Sequence, residues 1–350
     1  MRSDPHVESR CPACGARWAT LLRSAEDLLA DSRWTRDLLT DRLSDEPVML
    51  KDTAVFTQDY RADLLVCRAC QSVFRDPSAV PAGRMDRYVT DHYDPAYLDR
   101  MWVGFIAGYQ RDHPWNAAHG VRAGARILEI GSWFGAFLIY ATHHGAHAIG
   151  VDLGTEAAAY ARRHGATVIT APFDVNAFDG QRFHAVWILN CFEQLSDPGQ
   201  VLLDAARLLE PGGHLVIRTP NAAFIRFAYT RCPPTLGRRL LAGTNLGGVA
   251  YAVSYSTHAL TRLITAAGFT GVAVRGREHA SPARRAFTST PLAWQPGRRA
   301  LYRLASARGM AGPAWPWMDI TATRHAEPRQ GSDSVTSQSA RVTGAAYVRF

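Results

Sequence analysis

From Arg126 to Thr219 the chain alternates short apolar runs with stretches whose apolar positions recur at helical spacing. Arg126–Ile130 is apolar and stops at Gly131, the pattern of a buried strand running into a turn. Gly135–His144 then predicts a helix. Ala148–Asp152 predicts a second strand, Thr155–His164 a helix opened by a threonine cap, and Thr167–Thr170 a third strand. Phe183–Asn190 predicts a fourth. Pro198–Leu209 reads as a helix with proline in its first turn and Pro211-Gly212-Gly213 behind it, and Gly213–Thr219 as a fifth strand. After an interruption, Thr257–Ala267 predicts a helix ended by Gly268. Gly271–Arg275 and Met318–Thr323 predict a sixth and seventh strand, with one helical stretch, Arg298–Arg308, between them. Strands separated by helices at this spacing imply right-handed crossovers. The expected fold is therefore α/β, a Rossmann-like, mostly parallel seven-stranded sheet with helices on both faces.

The flanking patterns divide the chain further. Residues 1–80 hold two Cys-x-x-Cys pairs, an apparent helix from Ala25 to Leu43, and strand-like Ala54–Phe56 and Leu64–Val66. They read as a small zinc-ribbon-like module. Residues 81–121 are rich in aromatic residues and form a helical connector, in which Pro95–Trp115 could be one helix. Residues 122–326 form the main domain. Within it, 221–256 breaks the alternation after a strand's C-terminal end and is a candidate substrate lid. The polar, Ser- and Gln-rich segment 327–350 reads as a disordered tail.

Composition is that of an ordinary globular protein, with 47% hydrophobic and 20% charged residues over 350 positions. No apolar run is long enough to cross a bilayer, and the first ten residues have no signal-peptide pattern, so a cytoplasmic protein without membrane partners is expected. The net charge of +8 could indicate a nucleic-acid partner. The arginines are dispersed, however, and Lys51 is the sole lysine, so the charge reads as compositional bias.

The candidate chemistry starts at Leu128-Glu129-Ile130-Gly131-Ser132-Trp133-Phe134-Gly135, where the first strand turns into the first helix. Glycines permit a tight turn and close approach of a ligand, and the helix N-terminus behind offers free N–H groups. Asp152 ends the second strand, where a carboxylate can accept hydrogen bonds from both ribose hydroxyls of an adenosine-containing cofactor. A dinucleotide needs its pyrophosphate against a Gly-x-Gly-x-x-Gly turn. Trp133 replaces the middle glycine, which argues against a nicotinamide dinucleotide and for a cofactor without phosphate.

These segments resemble the class I S-adenosylmethionine-dependent methyltransferases from about Arg122 to Arg324. Glu129-Ile-Gly131-Ser-Trp-Phe-Gly135 is similar to that family's first motif and Gly150-Val-Asp152 to its second. Pro172-Phe-Asp174, Asn190-Cys-Phe-Glu-Gln-Leu-Ser-Asp-Pro198 and Leu208-Leu-Glu-Pro-Gly-Gly213 follow in the family's order. The resemblance implies S-adenosylmethionine as cofactor, held by Glu129, Gly131, Ser132, Gly135, Asp152, Leu153, Phe173, Asp174 and Asn190. It places Glu129 and Gly131 at the methionine part, Asp152 at the ribose, Phe173 and Asp174 at the adenine and Asn190 near the sulfonium. The implied activity is methyl transfer to a small molecule, with a sugar or secondary metabolite among the candidate acceptors.

Methyl transfer needs a base only where the acceptor must lose a proton. Many relatives carry histidine where this chain has Gln194, so the catalytic group is left unassigned, with Glu193, Tyr93 and His258 as candidates and His92 beside them. Cys191 lacks the preceding proline of cysteine-dependent methyltransferases and reads as a structural thiol.

Four of the six cysteines form the pairs Cys11-Pro-Ala-Cys14 and Cys67-Arg-Ala-Cys70. Two such knuckles can supply four thiolates to one tetrahedral, structural Zn²⁺. The chain resembles bacterial methyltransferases with a four-cysteine head. Two other readings stay open: an RNA methyltransferase whose head grips RNA, and a non-catalytic binding module that keeps the fold.

Overall fold

The computed structural model describes residues 6–42, 61–81, 83, 85–90, 93, 95–242, 244, 246, 251–277 and 315–325. The expected strand Ala54–Phe56, the helix Arg298–Arg308 and the tail 327–350 lie outside the described residues.

Seven strands form the large sheet: β5 (Arg126–Ile130), β6 (His147–Asp152), β7 (Thr167–Thr170), β8 (Phe183–Leu189), β9 (Leu209–Pro220), β11 (Phe269–Arg277) and β12 (Trp317–Arg324). Their order is β11-β12-β9-β8-β5-β6-β7. Neighbours run parallel from β9 to β7, and β12 is antiparallel to both β9 and β11. The mostly parallel sheet expected from the alternation is therefore present. Strand β9 starts at Leu209 rather than Gly213, because Pro211 and Gly212 remain inside an extended run with Gly212 at φ 79°.

Side chains alternate between the two faces with period two. Leu128, Ile130, Val186, Ile188, Leu215 and Ile217 pack on one face against α7 (Pro198–Leu208) and α10 (Thr257–Ala266). Ile127, Ala185, Trp187 and Val216 pack on the other against α5 (Ala136–His143) and α6 (Thr155–Arg163). The connector lies on this second face. It holds α2 (Asp86–Thr90), α3 (Pro95–Arg111) and α4 (His113–Ala118). The single helix expected over Pro95–Trp115 is broken at Asp112, the N-cap of α4, where Pro114 starts the new helix.

The cysteine-bearing segment folds into a five-stranded antiparallel sheet, β1 (His6–Glu8), β2 (Trp18–Arg23), β3 (Leu64–Cys67), β4 (Val73–Arg75) and β10 (Val253–Ser254). Helix α1 (Ala25–Arg42) follows β2. The fifth strand comes from the 221–256 segment, which also holds α8 (Ala222–Thr230) and α9 (Pro234–Ala242). Cys11, Cys67, Cys70 and Phe74 share one apolar core with the large sheet. No described helix is long and apolar enough to cross a membrane.

Three arginines converge on one carboxylate at the sheet edge. Asp319 is 1% exposed and meets Arg218 Nε at 2.7 Å, Arg275 Nη2 at 2.7 Å and Arg277 Nη1 at 3.0 Å. Arg277 also reaches Asp112 at 2.5 Å, and Arg275 lies over the Trp115 ring. This network ties α4 and its N-cap to β9, β11 and β12. The three guanidinium groups hold the Asp319 carboxyl below the ordinary range despite burial.

Candidate active site

The turn after β5 runs through Gly131 at φ 76°, Trp133 at φ 46° and Gly135 at φ 74°. Gly131 is required twice over: its φ is left-handed, and a Cβ there would lie 2.5 Å from Cys191 Sγ. A tryptophan in left-handed backbone is unusual and needs fixing by its surroundings. Asp152 does this. Its Oδ2 accepts from the Trp133 amide at 2.6 Å and its Oδ1 from the Gly154 amide at 2.7 Å. Burial raises the Asp152 pKa, while the two amides act to lower it.

Strand ends β5, β6 and β8, the loops after β7 and β8, the connector and residues 251 and 317 enclose a cavity of about 490 Å³. Of the residues expected to hold a cofactor, Glu129, Gly131, Ser132, Asp152, Leu153, Phe173 and Asn190 border it. Gly135 does not. It opens α5, and a Cβ there would come within 2.7 Å of Ala161 Cβ, so its role is helix packing. Asp174 is also absent from the wall. It is exposed, and its Oδ1 accepts from the Asn176 amide at 2.9 Å to cap the turn Val175–Phe178.

Among the residues that line the cavity, Glu129 Oε2, Ser132 Oγ and Asn190 Oδ1 are buried without a hydrogen-bond partner. Glu129 is 3% exposed, and its pKa is raised well above the carboxylate range by burial and then by the Asp152 charge. A buried carboxylate oxygen beside an amide oxygen and a hydroxyl calls for a ligand with several hydrogen-bond donors, preferably cationic.

Of the catalytic candidates, Tyr93 borders the cavity, with its ring edge-on to Trp133 at 5.8 Å. Glu193 does not. It is fully buried beside Thr219, and burial pushes its pKa up to about 8. His258 is exposed at the start of α10 and away from the cavity. His92 lies outside the described residues. Gln194 borders the cavity, as does Cys191, whose thiol is pushed up by burial and stays protonated.

The sequence reading missed the roof. Tyr88, Met101, Phe105 and Tyr109 from the connector, Tyr251 from the 221–256 segment and Trp317 border the cavity. The signal is the density of aromatic residues between 81 and 121, of which only Tyr93 was expected at the pocket, and the 221–256 segment expected as a lid.

The four cysteine sulfurs lie within 4.8 Å of one another. Cys11 Sγ and Cys70 Sγ are 3.7 Å apart, and Cys14 Sγ and Cys67 Sγ 3.6 Å. Four thiolates about 2.3 Å from a tetrahedral zinc would stand about 3.8 Å from one another, so the cluster has the dimensions of such a site.

Residues 109–274 match a family model described as a methyltransferase domain. The chain is 29% identical over 160 residues to a ubiquinone biosynthesis O-methyltransferase of Xylella fastidiosa, covering 40% of this chain and 65% of that protein. It is 32% identical over 113 residues to the protein of the same name from Xanthomonas oryzae, covering 30% and 47%. The chain thus spans less than two thirds of the length of these curated relatives. Among solved structures it is similar to phosphoethanolamine N-methyltransferase 2 of Haemonchus contortus, with a TM-score of 0.45 and 16% identity over 72% of this chain and 62% of that one. Residues 109–274, which carry the glycine turn and the parallel strands of the large sheet, are thus similar to a methyltransferase domain.

Proposed function

We propose that the protein transfers the methyl group of S-adenosylmethionine to a small-molecule acceptor bound in the same cavity. One observation carries the reading: Asp152 accepts from the amide of Trp133, in a glycine turn that bears an indole where a pyrophosphate-binding turn has glycine. The cofactor would supply an electrophilic methyl on a sulfonium, open to in-line displacement. Glu129 and Asn190 would accept from its ammonium group, which suits their unpartnered oxygens. Asp152 keeps lone pairs for ribose hydroxyls beyond the two amides it already accepts. Leu153 and Phe173 would flank the adenine, while Gly135 and Asp174 drop from the set for the packing and capping reasons above. The aromatic roof would exclude water from the reacting centre.

Proximity and orientation can supply much of the rate in such a displacement. Tyr93 and Gln194 are the polar side chains proposed to meet the acceptor, with no base assigned. The O-methyltransferase relatives support a hydroxyl acceptor, with a sugar or secondary metabolite in range. We further assign a structural Zn²⁺ to Cys11, Cys14, Cys67 and Cys70, in a head spanning 1–80 and joined by the 81–121 connector to the catalytic domain.

Incubation with methyl-labelled S-adenosylmethionine and a host metabolite extract tests the activity. A labelled small product supports the reading. Label recovered only in RNA would favour a nucleic-acid acceptor. Metal analysis of the purified chain should give about one zinc per chain, and none in Cys67→Ser.

A further inference from the structure

The cysteine cluster and the cavity share one short strand. Residues 251–256 enter the small sheet from the catalytic domain, where Val253 pairs with Phe74 and Ser254 with Val73. The Arg75 amide donates to the Ala252 carbonyl at 2.9 Å. At the end of the strand, Ser256 grips the second cysteine knuckle. Its Oγ donates to the Cys70 carbonyl at 2.6 Å, and its amide donates to Ser72 Oγ at 3.0 Å. The same hydroxyl accepts from the Ala259 amide at 3.1 Å and caps α10.

At its other end the strand reaches the cavity. Tyr251 borders it and stands edge-on to Trp317 at 5.6 Å. Between the two ends, Tyr255 packs on Phe192 at 5.2 Å, in the loop that carries Asn190 and Gln194. The Tyr255 carbonyl also accepts from the Ala222 amide at the start of α8. Ala252, Val253 and Tyr255 are buried in the core shared with the large sheet, and the two-residue strand takes its register from the backbone it pairs with.

We infer that Ser72 and Ser256 are positioning residues that make the cysteine cluster part of the acceptor wall. A metal bound by the four sulfurs fixes the Cys67–Cys70 knuckle. The knuckle presents the Cys70 carbonyl and Ser72 to Ser256, and Ser256 thereby sets the strand that places Tyr251 in the cavity. The head then has a role besides stability: its occupancy decides the shape of the cavity at Tyr251 while leaving the Asp152 end unchanged. This rests on the zinc assignment and on reading the cavity as the methyl-transfer site.

The test uses the full chain, zinc-loaded and chelator-stripped, labelled with 3-fluorotyrosine. The Tyr251 resonance is assigned by its loss in Tyr251→Phe, and amide exchange is read over 251–256. Ser256→Asp separates the two duties of the residue, because aspartate caps a helix but has no proton to donate to the Cys70 carbonyl. Ser256→Thr keeps both.

We expect Ser256→Asp to retain zinc, shift the Tyr251 resonance and speed amide exchange at 251–256 by about tenfold, the loss of roughly one hydrogen bond. Stripping zinc from the wild type should reproduce the shift, and Ser256→Thr should not. S-adenosylhomocysteine affinity should stay within about twofold in every zinc-loaded variant. If Ser256→Asp does not fold, Ser72→Ala serves in its place, with the same shift expected. An unmoved Tyr251 resonance in folded Ser256→Asp, or in Ser72→Ala where that replaces it, overturns the inference. A folded wild type that does not bind S-adenosylhomocysteine defeats the methyl-transfer reading instead, and the Tyr251 result is read separately from it.

Discussion

The Asp152 carboxylate accepts from the backbone amide of Trp133 at 2.6 Å, across the gap between two adjacent strand ends. One side chain thus holds the unusual left-handed tryptophan and faces the cavity. Replacing Asp152 with Asn keeps the size, removes the charge and puts a donor where an acceptor is needed. S-adenosylhomocysteine binding should weaken by about 10- to 100-fold, the loss of a charge-assisted hydrogen bond. Isothermal titration of both proteins checks this, and unchanged affinity would remove Asp152 from the site.

If Glu129 meets the cofactor's ammonium as proposed, ligand binding is proton-linked. Burial and then the Asp152 charge raise its pKa, which favours the protonated form in the free protein. A cationic amine favours the ionised form, so binding should release a proton. Affinity for S-adenosylmethionine should therefore rise with pH until Glu129 is fully ionised, and level off above. Titrations in two buffers of different ionisation enthalpy measure the proton released. Glu129→Gln should abolish the release and weaken binding about tenfold or more.

Burial also raises the Glu193 pKa, and there it makes stability fall as pH rises. Its folded pKa of about 8 stands above an ordinary carboxylate, so the native state holds more protons than the unfolded chain between the two values. Stability from this group is fully present below the unfolded pKa and is lost as pH rises through about 8. The loss should be on the order of a few kcal/mol. Urea unfolding from pH 5 to 9 should show it in the wild type and show much less in Glu193→Gln.

Each of the seven large-sheet strands was expected within a few residues of its place, because apolar runs such as Ile127–Ile130 stop at glycine or polar turns that no tertiary contact needs to create. The small sheet was only partly legible. Its strand Val253–Ser254 is two residues long and exists by pairing with a segment some 180 positions earlier, which no local pattern records. Glu129, Asp152 and Asn190, singled out by motif order, border the cavity. The cap formed by Asp174 and the inward turn of Glu193 were not legible, because both depend on what a carboxylate meets in three dimensions.

Asp319 supports the edge of the large sheet and the connector through Arg218, Arg275 and Arg277. Asp319→Asn would leave buried guanidinium charge without its partner. That should cost about 3–5 kcal/mol of stability, as for other broken buried pairs. Because the folded pKa is depressed, this contribution is present at neutral pH and lost on acidification below the ordinary carboxylate range. Denaturant unfolding at pH 7 of the single variant against wild type reads the difference.

The claim on which the account depends is that the Gly131–Asp152 cavity takes a sulfonium nucleoside without phosphate. Titration calorimetry of the purified chain with S-adenosylmethionine, repeated with NAD⁺, measures it. The account predicts one saturable S-adenosylmethionine site per chain and no displacement by NAD⁺. No heat with the sulfonium ligand, or tighter binding of the dinucleotide, would contradict it.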